Sequence, residues 1–198
     1  MKISADKQTV NRAISCFFKT LPILRKRLLE DAEFSYAFDP ACKDRNEVIL
    51  TYPSFFAVGT YRVAHEFYEY GFPVFARALT EYAHRKTGID IHPGAKIGRR
   101  FFIDHGTGVV VGETCEIGDG VRLYHNVTLG AKSFVSEPDG SIKKGGKRHP
   151  TLKNGVVVYA GATILGGDVI VGDHTVVGGN VILTHSVGEN EKITRQRE

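Results

Sequence analysis

The second half of the chain carries aliphatic residues at a spacing of six, a period that fits neither an α-helix nor an ordinary β-strand. Glycine or a small polar residue often follows the aliphatic one, which leaves room for a tight corner. This period is typical of a parallel β-helix, whose short strands turn a corner at every repeat and stack around a narrow core. A β-sandwich with irregular strands is the alternative, but eleven repeats at this spacing are not expected by chance. The repeat positions are Ile91, Ile97, Ile103, Val111, Ile117, Leu123, Leu129, Val158, Ile164, Val171 and Val177.

The first half of the chain has a different pattern and predicts helices. Residues 54–70 place apolar side chains at steps of three and four, and Pro73 and Gly88 mark the start and stop of a helix over about 73–86. Residues 6–33 are also helix-like, with a break expected near Pro22. We therefore predict an α+β protein, with an α-helical domain over 1–87, a parallel β-helix over 88–186 and a C-terminal tail over 187–198.

Three interruptions break the six-residue phase and mark candidate functional positions. The phase slips by two residues across 104–108 and by one residue across 166–168. A long excursion separates Leu129 from Val158, with its loop over 131–150. A loop of this length on a regular solenoid is more often functional than accidental.

Composition excludes several classes of function. The net charge of +4 is spread evenly over both halves, so we expect no nucleic-acid partner. Three cysteines, Cys16, Cys42 and Cys115, are too few and too scattered for a disulfide framework, which predicts a reducing, cytoplasmic setting. The first 13 residues are too polar for a signal peptide, and no apolar run approaches the roughly 20 residues of a membrane helix.

His105 is a candidate general base because it lies at the two-residue slip among carboxylates. Asp104 directly precedes it, and Asp90 lies less than one coil earlier. A histidine oriented by a carboxylate can take a proton from a hydroxyl near neutral pH. The alternative is a corner histidine that is hydrogen-bonded to backbone, and the residues by themselves leave both interpretations open.

A second arrangement would bind zinc. His125 falls one coil beyond His105 on the same face, and neighbouring strands lie about 4.8 Å apart, so the two imidazoles could stack. Zinc needs a third ligand, for which His149 on the long loop is the candidate. This set would suit a zinc-dependent hydratase of the γ-carbonic-anhydrase type.

The repeats resemble the left-handed β-helix acyltransferases, and several segments within roughly residues 36–186 look like serine O-acetyltransferase. The resemblance implies transfer of the acetyl group of acetyl-CoA to the hydroxyl of L-serine in cysteine biosynthesis, with acetyl-CoA as co-substrate and no metal. The matching segments are Asp39-Pro-Ala, Tyr61-Arg-Val-Ala-His, Thr87-Gly-Ile-Asp-Ile-His-Pro-Gly-Ala, Phe102-Ile-Asp-His-Gly-Thr-Gly-Val, Val111-Gly-Glu-Thr, Val127-Thr-Leu-Gly and Lys147-Arg-His-Pro.

By motif match, the resemblance implies a role for each of four residues around the reacting hydroxyl. His105 would be the general base, and Asp90 would be the carboxylate that orients it. Asp39 and Asp104 would hold the serine ammonium. An acyltransferase for a sugar or another hydroxyl acceptor is the alternative, and it would not require these paired carboxylates.

The same resemblance implies that Arg148 and His149 hold the serine carboxylate. His149 would also lie near the reacting centre, where it or backbone amides would stabilise the oxyanion. For CoA the matching positions are small residues that let the pantetheine arm lie along the solenoid, namely Gly130, Ala160 and Gly179.

Assembly and partners are also implied by the resemblance. In trimers of this family the site lies between adjacent prisms, so the loop would act on the base of a neighbouring subunit. The helical region before Asp39 is short compared with that of relatives whose extra helices join two trimers, which favours a homotrimer over a hexamer. Members of the family usually carry glutamine where this chain has His125. The tail lacks the terminal isoleucine that relatives insert into O-acetylserine sulfhydrylase, so the sequence gives no ground for expecting that partner.

Overall fold

The computed structural model describes residues 6–194, in which four helices precede a three-sided stack of short parallel strands. Residues 1–5 and 195–198 lie outside the described residues, and the latter are the last four of the predicted tail. The helices are α1 (Lys7–Phe38), α2 (Arg45–Thr51), α3 (Pro53–Glu69) and α4 (Pro73–Thr87). None of the helices in residues 6–194 is both long and apolar enough to cross a membrane.

The helices agree with the predicted ones except in α1 and α2. The predicted break at Pro22 is wrong, because α1 is one continuous helix of 32 residues with Pro22 inside it. A proline inside a helix removes one backbone hydrogen bond, but buried Ala13 and Leu24 pack the segments on both sides of it. The short helix α2, which Asp44 caps, was not predicted. Helix α4 ends at Gly88, whose φ of +71° is the left-handed geometry of a glycine cap.

Fourteen strands in the described residues form three parallel sheets. Sheet 1 has the order β1-β4-β7-β10-β13, sheet 2 the order β2-β5-β8-β11, and sheet 3 the order β3-β6-β9-β12-β14. From β1 to β13 each strand pairs with the third strand along the chain, and β14 pairs with β12. The sheets therefore close a triangular prism, and the fold is the predicted left-handed β-helix of an α+β protein. The strands are β1 (Asp90–Ile91), β2 (Lys96–Ile97), β3 (Phe102–Ile103), β4 (Val110–Val111), β5 (Glu116–Ile117), β6 (Arg122–Leu123), β7 (Thr128–Gly130), β8 (Thr151–Leu152), β9 (Val157–Val158), β10 (Thr163–Leu165), β11 (Ile170–Val171), β12 (Val176–Val177), β13 (Ile182–Leu183) and β14 (Lys192–Ile193).

The predicted repeat positions form the core of the prism. All eleven are buried, and they stack in register from coil to coil; Val111, for example, pairs with both Ile91 and Leu129. Leu152 and Leu183 belong to the same core, although the sequence pattern did not include them. Burial of these stacked aliphatic side chains is what fixes the coil register.

The β-helix continues beyond residue 186, so the predicted start of the tail at residue 187 is wrong. Val187 forms a bridge to Val171, and β14 pairs with β12. Val187 and Ile193 keep the six-residue spacing and pack against the core. The last coil therefore uses the same packing as the coils before it.

Three corners join the sheets, and their positions matter for the site. Corner A, between sheets 3 and 1, comprises residues 104–109, 124–127, 159–162 and 178–181. Corner B, between sheets 1 and 2, comprises residues 92–95, 112–115, 131–150 and 166–169. Corner C, between sheets 2 and 3, comprises residues 98–101, 118–121, 153–156 and 172–175. The long loop therefore leaves the prism at corner B.

A buried ion pair fixes the helices to corner C. Arg62 of α3 donates Nε to Asp31 of α1 at 2.5 Å, and both side chains are almost fully buried. Arg62 also donates to the carbonyl of Gly98 at 2.8 Å, and Asp31 accepts the N–H of Phe101 at 2.9 Å. Burial raises the pKa of Asp31, whereas the Arg62 guanidinium opposes the rise. This cluster sets the position of α1 and α3 against the prism.

Candidate active site

Most of the predicted site residues fall into two groups on different corners of the prism. The first group, at corner A, comprises Asp104, His105, Ala160 and Gly179. The second group, at corner B, comprises Arg148 and His149 at the end of the long loop. The other three predicted residues lie outside the corners: Asp39 caps the end of α1, Asp90 is on β1 and Gly130 ends β7.

His105 is presented to solvent by a strained turn. It lies in the two-residue insertion between β3 and β4, and its side chain is 73% exposed. Its φ is +57°, and the N–H of Gly106 donates to the carbonyl of Asp104 at 2.7 Å, which closes a γ-turn around His105. Left-handed backbone at a residue other than glycine costs free energy and is concentrated at functional sites.

The structure does not join Asp90 to His105, although the resemblance implied this contact. The carboxylate of Asp90 instead accepts Arg77 Nη1 at 2.9 Å and Nη2 at 3.4 Å. Arg77 reaches it because α4 lies beside β1. Asp104 Oδ1 lies 3.8 Å from His105 Nε2, which is longer than a hydrogen bond. Arg77 was not among the predicted site residues, because a single arginine on a helix surface forms no motif.

Asp39 ends α1 and is held by two hydrogen bonds. It accepts the phenol of Tyr52 at 2.5 Å and the N–H of Ala41 at 2.8 Å. Burial raises the pKa of Tyr52, and the hydrogen bond to Asp39 raises it further. The ring of Phe38, the neighbouring residue, lies 4.3 Å from the guanidinium carbon of Arg122 on β6. The end of α1 therefore lies against sheet 3.

The negative charges of Asp39 and Asp104 both raise the pKa of the Tyr124 phenol. Burial raises the pKa of the Tyr124 phenol, and nearby Tyr159 and the negative charges of Asp104 and Asp39 raise it further. The ring of Tyr124 stacks on that of Tyr159 with centroids 4.9 Å apart. Of the two carboxylates predicted to bind an ammonium, Asp104 has the larger effect on Tyr124 and Asp39 the smaller.

His125 is the neighbour of His105 that the coil register predicted. The ring centroids lie 5.7 Å apart at an interplanar angle of 68°, so the imidazoles meet edge to face rather than stacked. His149 does not join them, because it lies at corner B. Among residues 6–194, the group that comes close enough to hold a metal is instead Glu81, His84 and Asp90, and Arg77 already pairs with both carboxylates of that group.

At corner B, His149 is buried and held by Thr114. Its Nδ1 accepts the backbone N–H of Thr114 at 3.1 Å, so the proton of the neutral ring lies on Nε2. Burial lowers the pKa of His149 to about 4, and the positive charge of Arg148 contributes to this shift. The ring lies directly on Gly112, where any Cβ would overlap it. His149 is therefore a neutral Nε2–H donor at neutral pH.

Arg148 is paired with Glu113, a contact that the sequence did not predict. The guanidinium donates to one oxygen of Glu113, and the phenol of Tyr68 donates to the other oxygen at 3.0 Å. The hydrogen bond from Arg148 lowers the pKa of Glu113. Glu113 belongs to the segment Val111-Gly-Glu-Thr, which carried part of the family resemblance but had been given no role.

Two of the three predicted CoA positions form a column at corner A. The carbonyl of Ala160 accepts the N–H of Asn180 at 3.0 Å, and a Cβ on Gly179 would lie 3.2 Å from the same carbonyl. Gly130 lies elsewhere, at the end of β7 where corner B begins. The small residues thus border both corners that carry the polar groups.

Curated proteins with similar sequences carry one name. The plasmid serine acetyltransferase of Synechococcus elongatus is 49% identical over 159 residues, which are 80% of this chain and 50% of that protein. The serine acetyltransferase of Helicobacter pylori strain 26695 is 56% identical over 128 residues, which are 65% of this chain and 70% of that protein. The chain belongs to the serine acetyltransferase family. No protein-family profile matches it.

Solved structures of serine acetyltransferases agree with this assignment. Entamoeba histolytica serine acetyltransferase 1 in complex with L-cysteine superposes with a TM-score of 0.91 at 42% identity, over 96% of this chain and 70% of that one. The Neisseria gonorrhoeae serine acetyltransferase in complex with serine gives 0.82 at 28% identity, over 93% and 72%. A serine acetyltransferase in complex with CoA gives 0.80 at 30% identity, over 91% and 71%.

The names of these relatives agree with the predicted family, and two of the solved structures are complexes with serine and with CoA. The chain spans about half the length of the Synechococcus relative and 70% of the Helicobacter one.

Proposed function

We propose that the chain is a serine O-acetyltransferase, which converts L-serine and acetyl-CoA to O-acetyl-L-serine and CoA in cysteine biosynthesis. The observation that carries this proposal is the exposed imidazole of His105 at corner A, with Asp104 Oδ1 3.8 Å from its Nε2. Asp39, at the end of α1, is proposed as the second carboxylate. The imidazole suits a hydroxyl that must lose a proton, and the carboxylates suit an ammonium. L-serine carries both groups, whereas a neutral sugar carries no ammonium.

His105 is the general base in the proposed reaction, because the serine hydroxyl is too weak an acid to attack unaided. It accepts the Oγ proton as the bond from Oγ to the thioester carbon forms. The carbon–sulfur bond then breaks, and the imidazolium returns the proton to the leaving CoA thiolate. Atoms and charge balance without an acyl-enzyme.

Corner B supplies the groups for the serine carboxylate. Arg148 has five N–H donors and uses only part of them on Glu113 and the carbonyl of Gly146, so others remain for a substrate carboxylate. The Nε2–H of His149 is a fixed neutral donor, which can serve that carboxylate or the oxyanion of the transition state. The pantetheine arm lies along the small residues Gly130, Ala160 and Gly179.

Asp90 is proposed to orient His105 when substrates are bound. In the described chain Arg77 holds Asp90, so this role requires the carboxylate to exchange one partner for another. A carboxylate on the imidazole selects its tautomer and stabilises the imidazolium.

A homotrimer is proposed as the active assembly. Corner A holds the base and corner B holds the carboxylate-binding groups, and sheet 1 separates the corners within one chain. A ring of three prisms places corner A of one subunit against corner B of the next, which completes three equivalent sites. Light scattering should therefore give three times the mass of the chain, whereas a monomer that retains full activity would contradict a shared site. A hexamer would require two such trimers to join through their helices.

A reducing compartment such as the cytoplasm is the proposed location. Cys16, Cys42 and Cys115 are free thiols in the described residues, and disulfides are rare in that compartment.

The test of this function is thiol release from acetyl-CoA, followed colorimetrically for the native chain and His105→Ala. We expect release that depends on L-serine and that falls by at least about 10³-fold in the variant. Acceptors that keep the hydroxyl but lack the ammonium, such as glucose or lactate, serve as controls. Equal rates with these acceptors, or a variant as fast as the native chain, would contradict the proposal.

A further inference from the structure

His125 lies at corner A, and the proposed mechanism gives it no role. It follows His105 by one coil, and the edge of one ring meets the face of the other at a centroid distance of 5.7 Å. The family resemblance assigned no role to an imidazole at this position. The hydrogen bonds available to its two ring nitrogens indicate one.

Nδ1 of His125 is buried and has no hydrogen-bond partner among residues 6–194. A proton on this nitrogen would bury an N–H that has lost its hydrogen bond to water and gained none, which costs more than burying a bare acceptor. The neutral ring therefore carries its proton on Nε2. Nε2 is not a buried atom without a partner, as Nδ1 is. His125 therefore presents one N–H donor away from the core.

The position of this donor follows from the hydrogen bonds between coils. The carbonyl of His125 accepts the N–H of Gly161 at 3.0 Å, and the carbonyl of Ala160 accepts the N–H of Asn180 at 3.0 Å. His125, Ala160 and Gly179 therefore succeed one another along corner A at steps of about 4.8 Å. His125 lies between the base, on one side, and the small residues proposed for the pantetheine arm, on the other.

We propose that His125 donates its Nε2–H to the carbonyl oxygen of the acetyl thioester and stabilises the oxyanion that develops there. This inference rests on the proposed function. The thioester joins the pantetheine arm to the acetyl carbon that the serine oxygen attacks, so it occupies the interval between Ala160 and His105. The role involves a hydrogen bond only; the proton stays on His125 while His105 carries out the proton transfer.

The test compares His125→Phe with His125→Gln. Phenylalanine keeps a ring of similar size but has no donor, whereas glutamine keeps an N–H. We expect His125→Phe to lower kcat at least about tenfold, because loss of one oxyanion donor costs on the order of 10²–10³ in other enzymes. The affinity for CoA, which has no acyl carbonyl, should change less than about twofold in the same variant. His125→Gln should recover at least about a third of the native kcat.

Folding is checked by thermal unfolding of each variant. His125→Phe removes the unpartnered nitrogen, so it should unfold at the native temperature or above it. If it does not fold, His125→Leu is the second variant without a donor. A native kcat in His125→Phe, or equal losses of kcat and CoA affinity, would show that His125 only packs against its neighbours.

The two proposals fail in different ways. If the native chain releases no thiol in the presence of serine, the proposed function fails and the inference fails with it. If the native chain is active, His105→Ala is inactive and His125→Phe is fully active, only the role of His125 is wrong.

Discussion

The backbone N–H of Thr114 donates to Nδ1 of His149 at 3.1 Å, and this bond ties the end of the long loop to the corner that follows β4. The hydroxyl of Thr114 accepts the N–H groups of both Arg148 and His149, at 3.0 and 3.1 Å. One threonine therefore fixes the backbone of two proposed substrate-binding residues and the tautomer of one of them. The loop can be long and polar and still hold His149 in one orientation.

Stability should fall in weakly acidic solution because of His149. Its pKa in the folded chain is about 4, below the ordinary value of 6.5, so the unfolded chain binds the proton more readily. The contribution of this residue is complete above about pH 6.5 and is lost as the pH falls toward 4, with a limit of about 3 kcal/mol. Urea unfolding at fixed chain concentration between these pH values measures it.

His149→Gln is the control for this pH dependence, because glutamine does not titrate. The variant should lose less stability than the native chain over the same interval. Parallel curves for the two proteins would mean that other groups cause the acid sensitivity.

The turn at His105 should store conformational strain. Its φ of +57° disfavours every side chain with a Cβ, whereas glycine adopts this geometry freely. We expect His105→Gly to be more stable than His105→Ala by about 1 kcal/mol, with both variants inactive. Chemical denaturation of the two variants gives the difference. Equal stabilities would indicate that the turn relaxes when the imidazole is removed.

Substitutions of Asp90 and of Arg77 should have different effects on kcat, although the two side chains form one ion pair. If Asp90 orients His105 during turnover, Asp90→Asn lowers kcat at least about tenfold. Arg77→Met removes only the competing partner, so kcat should stay within about threefold of the native value. Initial rates at saturating serine and acetyl-CoA distinguish the two variants. Identical kcat values for both would restrict Asp90 to a structural role.

Asp39→Asn tests the ammonium site. Asparagine keeps one of the two acceptor oxygens, which can serve either Tyr52 or Ala41, and removes the charge. The KM for L-serine should therefore rise at least about tenfold, since a hydrogen bond to a charged group contributes about 1.5–3 kcal/mol. The KM for acetyl-CoA should not change. Tyr52→Phe, which removes only the hydroxyl that donates to Asp39, should have a smaller effect on the KM for serine. An unchanged KM for serine in Asp39→Asn would place the ammonium elsewhere.

The fold was predictable because the narrow prism accepts only one kind of side chain at each inward position. Val111 and Leu129 pair in register, as the six-residue period requires, and Ile91 pairs with Val111 once the two-residue slip is counted. The end of the β-helix was missed because polar residues separate Val187 from Ile193 and hide the same spacing. The continuity of α1 through Pro22 was missed because it depends on tertiary packing, which no local rule for proline contains.

The candidate site was predictable only where the register determines it. The contact between His105 and His125 follows from counting residues along two coils. The contacts of Arg148 with Glu113 and of Arg77 with Asp90 depend on where a long loop and a helix return to the prism. No spacing in the sequence predicts where the loop and the helix meet the prism. Neither Glu113 as the partner of Arg148 nor Arg77 as the partner of Asp90 was therefore predictable.

Subunit complementation tests the central claim, that corner A of one subunit and corner B of the next form one site. His105→Ala and His149→Ala chains are inactive alone in this account, and they are mixed at equal amounts, unfolded and refolded together. Random assembly gives a native pair of corners at one interface in four, so about one quarter of the native serine-dependent rate should return. A mixture that stays as inactive as its two components would contradict the shared site.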